Sequence, residues 1–228
     1  MIHAYQEIYL NNAQAALGEA FDYAINTCGI SGENFVKMFL VSSVSKKMEK
    51  GEPKYVSGKS GIEIAREIVF ETASKNLENE PSESFGRSKE YWIGWAVAYY
   101  HWYTSRKYSD IFKVVSFSEL EQMYYTLHEA DISKFVAVIN DRMLEYFPET
   151  NLKRIRTAYG ITQAELAKMA DVSLRSIQMY EQRNKDINKA NAETIYRIAK
   201  VLGCAMEDLI EVLCNDTLSN TRRSNISK

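Results

Sequence analysis

Nowhere among the 228 residues do 18 apolar residues run together, so no membrane span is expected. The three cysteines, Cys28, Cys204 and Cys214, are an odd number without metal-ligand spacing. Reduced thiols in a cytoplasmic protein are the expectation, with no structural metal. Glu7, Glu19 and Asp22 stand in the first 30 residues without a single Lys or Arg, which is unlike a secretory signal. There is no P-loop, no glycine-rich dinucleotide turn and no paired His-Glu zinc motif. His3, His101 and His128 are scattered. A lone histidine is more often structural than a base, so neither a cofactor nor an enzymatic activity is expected. Strand patterning is almost absent, and internal repeats and low-complexity stretches are missing as well.

What remains is helix after helix, in a chain that is 46% hydrophobic and 25% charged, as in ordinary globular proteins. Leu10, Leu17, Phe21, Ala24, Ile25 and Cys28 form one stripe at helical spacing that Gly29 ends. A second helix is expected from Ser31 to Gly51, with Phe35, Met38 and Phe39 inward. "SGIE" at 60–63 and "SELE" at 118–121 read as capping boxes, the Ser accepting from first-turn amides and the Glu reaching back. Asp131 is placed to cap a helix whose stripe is Phe135, Val136, Ile139 and Met143. The stretches 51–59 and 76–88 read as loops.

The sequence breaks at "YFPETN". Pro148 cannot continue the helix before it and Thr150 can cap the next. An all-α chain is expected, with a helical N-terminal domain at 1–148, a five-helix domain at 149–214 and a disordered tail at 215–228. Charge divides at the same place. Residues 1–149 carry 15 Lys/Arg against 21 Asp/Glu, and residues 150–228 carry 13 against 9. A basic third joined to an acidic remainder suggests that only the C-terminal part meets a polyanion.

In that part, Gly160 ends a helix holding Leu152 and Ile155. Thr162 caps a second with Glu165 at the capping-box position, burying Leu166, Ala167 and Ala170. After the turn Asp171-Val172, Ser173 caps a third that buries Ile177 and Tyr180. "ANAETIYRIAKVLG" supplies a fourth with Ile195, Ile198, Ala199 and Leu202 inward, and "MEDLIEVL" a fifth anchored by Leu209. "ITQAELAKMADVSLRSIQMYEQ" followed by "ETIYRIAKVLG" resembles the phage repressor/Cro-like helix-turn-helix family.

That resemblance implies a transcriptional regulator of double-stranded DNA, with helix 173–182 in the major groove. It implies base contacts from Leu174, Arg175, Gln178 and Met179. Arg175 leads, because a guanidinium bonds guanine O6 and N7 together. Gln163, Ser173, Arg183, Asn184 and Lys185 are implied at phosphates, and Arg156 and Glu181 as a structural ion pair. Where the family usually has Gly two residues after that Glu, this sequence has Arg183. Asn184 is therefore expected to take the left-handed turn.

"EYWIGWAVAYYHWY" at 90–103 has seven aromatics in fourteen positions. Trp92, Trp95, Tyr99 and Trp102 lie along one side of a helix there, read as core in preference to a groove for a partner peptide or stacked ligand. The N-terminal region also resembles an uncharacterised helical domain fused ahead of this helix-turn-helix in bacterial mobile-element or toxin–antitoxin-type operons. "MIHAY", "SGIEIAREI" and "SKEYWIGWAVAYYHWY" carry that resemblance. The expectation is an autoregulatory homodimer. The alternatives are an antitoxin-like module that neutralises a small partner through residues 1–148, and a metabolite-sensing repressor.

Overall fold

The structure is a computed structural model that describes residues 3–80 and 87–211. Among these the fold is all-α, and no strand occurs. None of the described helices is long and apolar enough to cross a membrane. The chain separates into two compact units, Met1–Met143 and Leu144–Lys228. The expected tail at 215–228 lies outside the described residues.

In the first unit, α1 (Leu10–Asp22) runs on into a π-helical turn at Tyr23–Thr27, and Gly29 closes it at φ 69°. The single helix expected from Ser31 is two, α2 (Gly32–Val41) and α3 (Ser43–Glu49). Serine side chains compete with the helix for backbone groups. Ser42 Oγ donates to Phe39 O at 2.8 Å, and the Ser43 amide leaves the helix ladder for Glu71 Oε2 at 2.7 Å. Inside the expected loop 51–59, Pro53 starts a one-turn helix, α4 (Pro53–Val56), where its missing N–H costs nothing.

Ser60 and Glu63 close the expected capping box on α5 (Gly61–Ala73). The second box stands two residues earlier than "SELE" implies. Ser116 and Glu119 close it on α8 (Phe117–Leu127), while the Ser118 amide donates to Glu33 Oε1 at 3.1 Å. The amide and hydroxyl of Ser116, together with Arg142, draw the Glu119 carboxyl down to about 2. Asp131 Oδ1 accepts from the Ser133 amide at 2.9 Å at the head of α9 (Ile132–Tyr146), whose Phe135, Val136, Ile139 and Met143 are all buried.

The centre of this unit is α1 packed between α5 and the aromatic helix α6 (Lys89–Thr104). Gly94 makes the closeness possible: a Cβ there would stand 2.5 Å from Leu17 O and 2.9 Å from the Gly18 Cα. Small residues therefore form the inner face of α6, with Ile93, Val97 and Tyr100 filling the space around them. Of the expected aromatic core stripe, only Trp102 is buried; Trp92, Trp95 and Tyr99 are half-buried on another side. Close helix packing selected the face with the least side chain. Between α6 and α8 lies α7 (Tyr108–Val114), with Tyr108 and Ile111 inward.

In the second unit, Thr150 Oγ1 accepts from the Lys153 amide at 3.2 Å to cap α10 (Asn151–Tyr159). Gly160, at φ 83°, ends it. There follow α11 (Gln163–Ala170), α12 (Leu174–Glu181), a 3-10 turn at Ile187–Lys189, α13 (Ala192–Leu202) and a single turn, α14 (Met206–Leu209). Leu152, Leu166, Ile177, Ile187, Ile198, Leu202 and Leu209 meet in one core. Each fully buried branched side chain there contributes about 1.5–3 kcal/mol over leaving it in water.

Candidate nucleic-acid interface

The pair α11 and α12 is fixed from both ends. Thr162 and Glu165 close a capping box on α11, and Ser173 Oγ accepts from the Ser176 amide at 3.1 Å to start α12. Between them Asp171 takes the left-handed conformation at φ 51°, which Asp adopts more readily than bulkier residues. Arg197 of α13 reaches its carboxylate at 2.6 Å.

Below the turn, Arg156 and Glu181 join α10 to α12. The guanidinium makes a two-pronged contact, Nε to Oε1 at 2.6 Å and Nη2 to Oε2 at 2.9 Å. Arg156 Nη1 also donates to Ile161 O at 2.7 Å. The side chains are only 12% and 2% exposed, so the fork is matched in a dry place. The carboxylate's hydrogen bonds hold the Arg156 pKa above its ordinary value. Gln163 adds a third bond to the same carboxylate, from Nε2 at 2.8 Å. One amide of this half-buried residue is thus used inside the unit.

At about 100° per residue, α12 has one face inward, carrying Ile177, Tyr180 and Glu181, all buried. Arg175 and Met179 lie opposite, with Gln178 and then Leu174 following along one flank toward the core. Leu174 is 41% exposed, a large apolar side chain left in water. Arg175 is exposed and has no hydrogen-bond or ion-pair partner among the described residues. Gln182 lies on the same side and is exposed too. Its place four residues after Gln178 and seven after Arg175 is the signal that would have found it.

The residues after α12 depart from expectation. Arg183 itself, not Asn184, takes the left-handed turn, at φ 56°. Its amide donates to Tyr180 O at 3.1 Å and that of Asn184 to Met179 O at 2.9 Å, which seals the helix end. The Arg183 guanidinium offsets the strain by donating to Pro148 O at 2.7 Å and lying 3.6 Å from Glu211 Oε2. It is engaged within its own unit rather than held outward. Asn184 Nδ2 bonds Gln182 Oε1 at 3.0 Å, and Lys185 Nζ sits 5.2 Å from the centre of the Tyr180 ring. Ser173 is exposed at the head of α12, its hydroxyl 2.8 Å from that of Ser176.

Two short helices joined by a tight turn, the second presenting an uncommitted arginine away from the core, form a recognisable arrangement. Residues 152–209 match the helix-turn-helix family model. No curated protein and no solved structure matches the chain. The family match spans α10 through α14, and what it shows is a likeness of this segment to helix-turn-helix DNA-binding domains.

Proposed function

We propose that the chain is a sequence-specific transcriptional regulator that reads double-stranded DNA by laying α12 in the major groove. The observation that carries this reading is Arg175, a free guanidinium on the outward side of a helix whose opposite side is locked into the core. Its fork suits guanine O6 and N7, while the exposed Leu174 suits a thymine methyl. Gln178 and Met179 follow along the groove, with Gln182 at its far edge. Gln163, Ser173, Asn184 and Lys185 serve the phosphates and set register. Arg183 acts mainly by holding the loop, through Pro148 and Glu211.

So small a reader buries little surface on its own, so a homodimer on two half-sites about 34 Å apart is part of the proposal. Control of its own gene is the simplest regulatory circuit, and it names the DNA to use. Fluorescence anisotropy of the full chain on DNA from upstream of its gene, against a scrambled duplex, tests the reading. Arg175→Ala should cost about 1–3 kcal/mol on the specific duplex and leave the scrambled one unaffected. Affinity should fall steeply with salt as phosphate contacts are screened. Unchanged selectivity in Arg175→Ala would refute the assignment of the groove-facing side.

A further inference from the structure

In the first unit, α6, α8 and the start of α9 line a half-open cavity of about 350 Å³. Its walls are aromatic: Tyr91, Trp92 and Trp95 come from α6, and Tyr124 and His128 from the end of α8. The walls are braced from behind. Trp92 meets Tyr124 edge-on at 5.7 Å and Phe135 at 5.6 Å, while His128 stacks on Tyr124 at 4.3 Å. His128 Nδ1 is tied to Tyr124 O at 2.7 Å. Arg87 stands at the rim with its guanidinium 5.0 Å from the centre of the Tyr91 ring. No carboxylate among the described residues pairs with it, and none lines the cavity.

This is an unusual use of tryptophan. Two of the chain's three Trp stand half-buried around an open space instead of filling the core that Gly94 and Ala98 occupy. Rigid, half-wet aromatic walls offer ring faces for stacking, and the cation at the rim asks for one anionic group. The volume is at the low end for small-molecule sites and far too small for a partner helix, which would need an open groove. We propose that this cavity binds a small planar aromatic carboxylate, its rings against Trp92 and Trp95 and its carboxylate on the Arg87 fork.

The site is independent of how α12 reads DNA, and it is tested without DNA. The full chain, labelled with ¹⁵N, is titrated with 1-naphthoate while the three indole N–H signals are followed. Trp102 serves as the internal reference, because its Nε1–H donates to Tyr5 O at 3.0 Å and does not line the cavity. The Trp92 and Trp95 signals should shift saturably and that of Trp102 should stay. Replacing the probe by 1-naphthamide, or Arg87 by Gln, should weaken binding by about two- to fivefold, since one solvent-exposed charge-assisted pair is lost. Arg87 is exposed, so Arg87→Gln should keep the wild-type signal dispersion. Ala130→Leu, which narrows the cavity without touching charge, should abolish the shifts. No saturable shift up to millimolar probe overturns the proposal, as do equal shifts at all three indoles. Equal affinity for acid and amide would leave an apolar void that does not select an anion, and would overturn it too.

Discussion

Removing the charge of Glu181 should unfasten the DNA-reading helix from its support. In Glu181→Gln the Arg156 guanidinium stays in place, 12% exposed, with its counter-charge gone. It keeps Ile161 O as a partner at 2.7 Å but loses the two-pronged carboxylate contact, and Gln163 loses an ionised acceptor. Stranding one partner of a buried pair costs about 3–5 kcal/mol. A unit of this size has a total stability of about 3–9 kcal/mol, so the loss takes a large share of it. For a domain of 60–100 residues, 3 kcal/mol corresponds to a fall in melting temperature of about 12–24 °C. Thermal scans of the full chain by far-UV circular dichroism measure it. Trp92, Trp95 and Trp102 all lie in Met1–Met143, so fluorescence follows that unit separately. The double variant Arg156→Met/Glu181→Leu removes both charges and should recover most of the loss, as apolar replacements of buried pairs do. A Glu181→Gln protein melting within about 2 °C of wild type would refute the reasoning. So would a double variant no more stable than the sum of the single ones.

Three further outcomes are expected. Gly94→Ala pushes a methyl toward Leu17 O, 2.5 Å away, and should destabilise the first unit by about 3 kcal/mol or more, seen as an early fluorescence transition. Burial, opposed by the bond between His101 Nδ1 and Arg106 O, holds His101 neutral with its pKa lowered from 6.5 to about 4. The unfolded chain then binds the proton first, so stability present above pH 6.5 is lost as pH falls toward 4, by about 3 kcal/mol in full. Denaturant titrations across that range should show a shallower decline in His101→Phe. Ser116→Ala should cost about 1 kcal/mol, whereas Ser118→Ala, at the second helical position, should be nearly silent.

The aromatic helix shows where sequence patterning stops. Its stripe at helical spacing was visible, but periodicity tells only which residues share a side, and not which side a neighbour will cover. The neighbour was α1, whose close approach depends on Gly18 and Gly94 lying opposite each other across a distance of some 75 residues in the chain. Likewise, Ser42 breaks a helix partly because Glu71, far along the sequence, offers the Ser43 amide a better partner. Capping serines two residues apart look alike in sequence, and in the structure Ser116 closes the box while the Ser118 amide donates to Glu33 of another helix.

The helix-turn-helix was legible because its determinants are local. Caps, the left-handed turn, and apolar residues three and four apart act within a few residues of one another, so their pattern survives in the sequence. The sequence by itself therefore determined the helices of residues 150–209, their order and the outward position of Arg175. Only tertiary structure decided that Arg183 would be turned back to Pro148 and Glu211, and that Trp92 and Trp95 would wall a cavity while small residues took the core. Those outcomes depend on energies shared between segments distant in sequence, and no single segment carries such a sum.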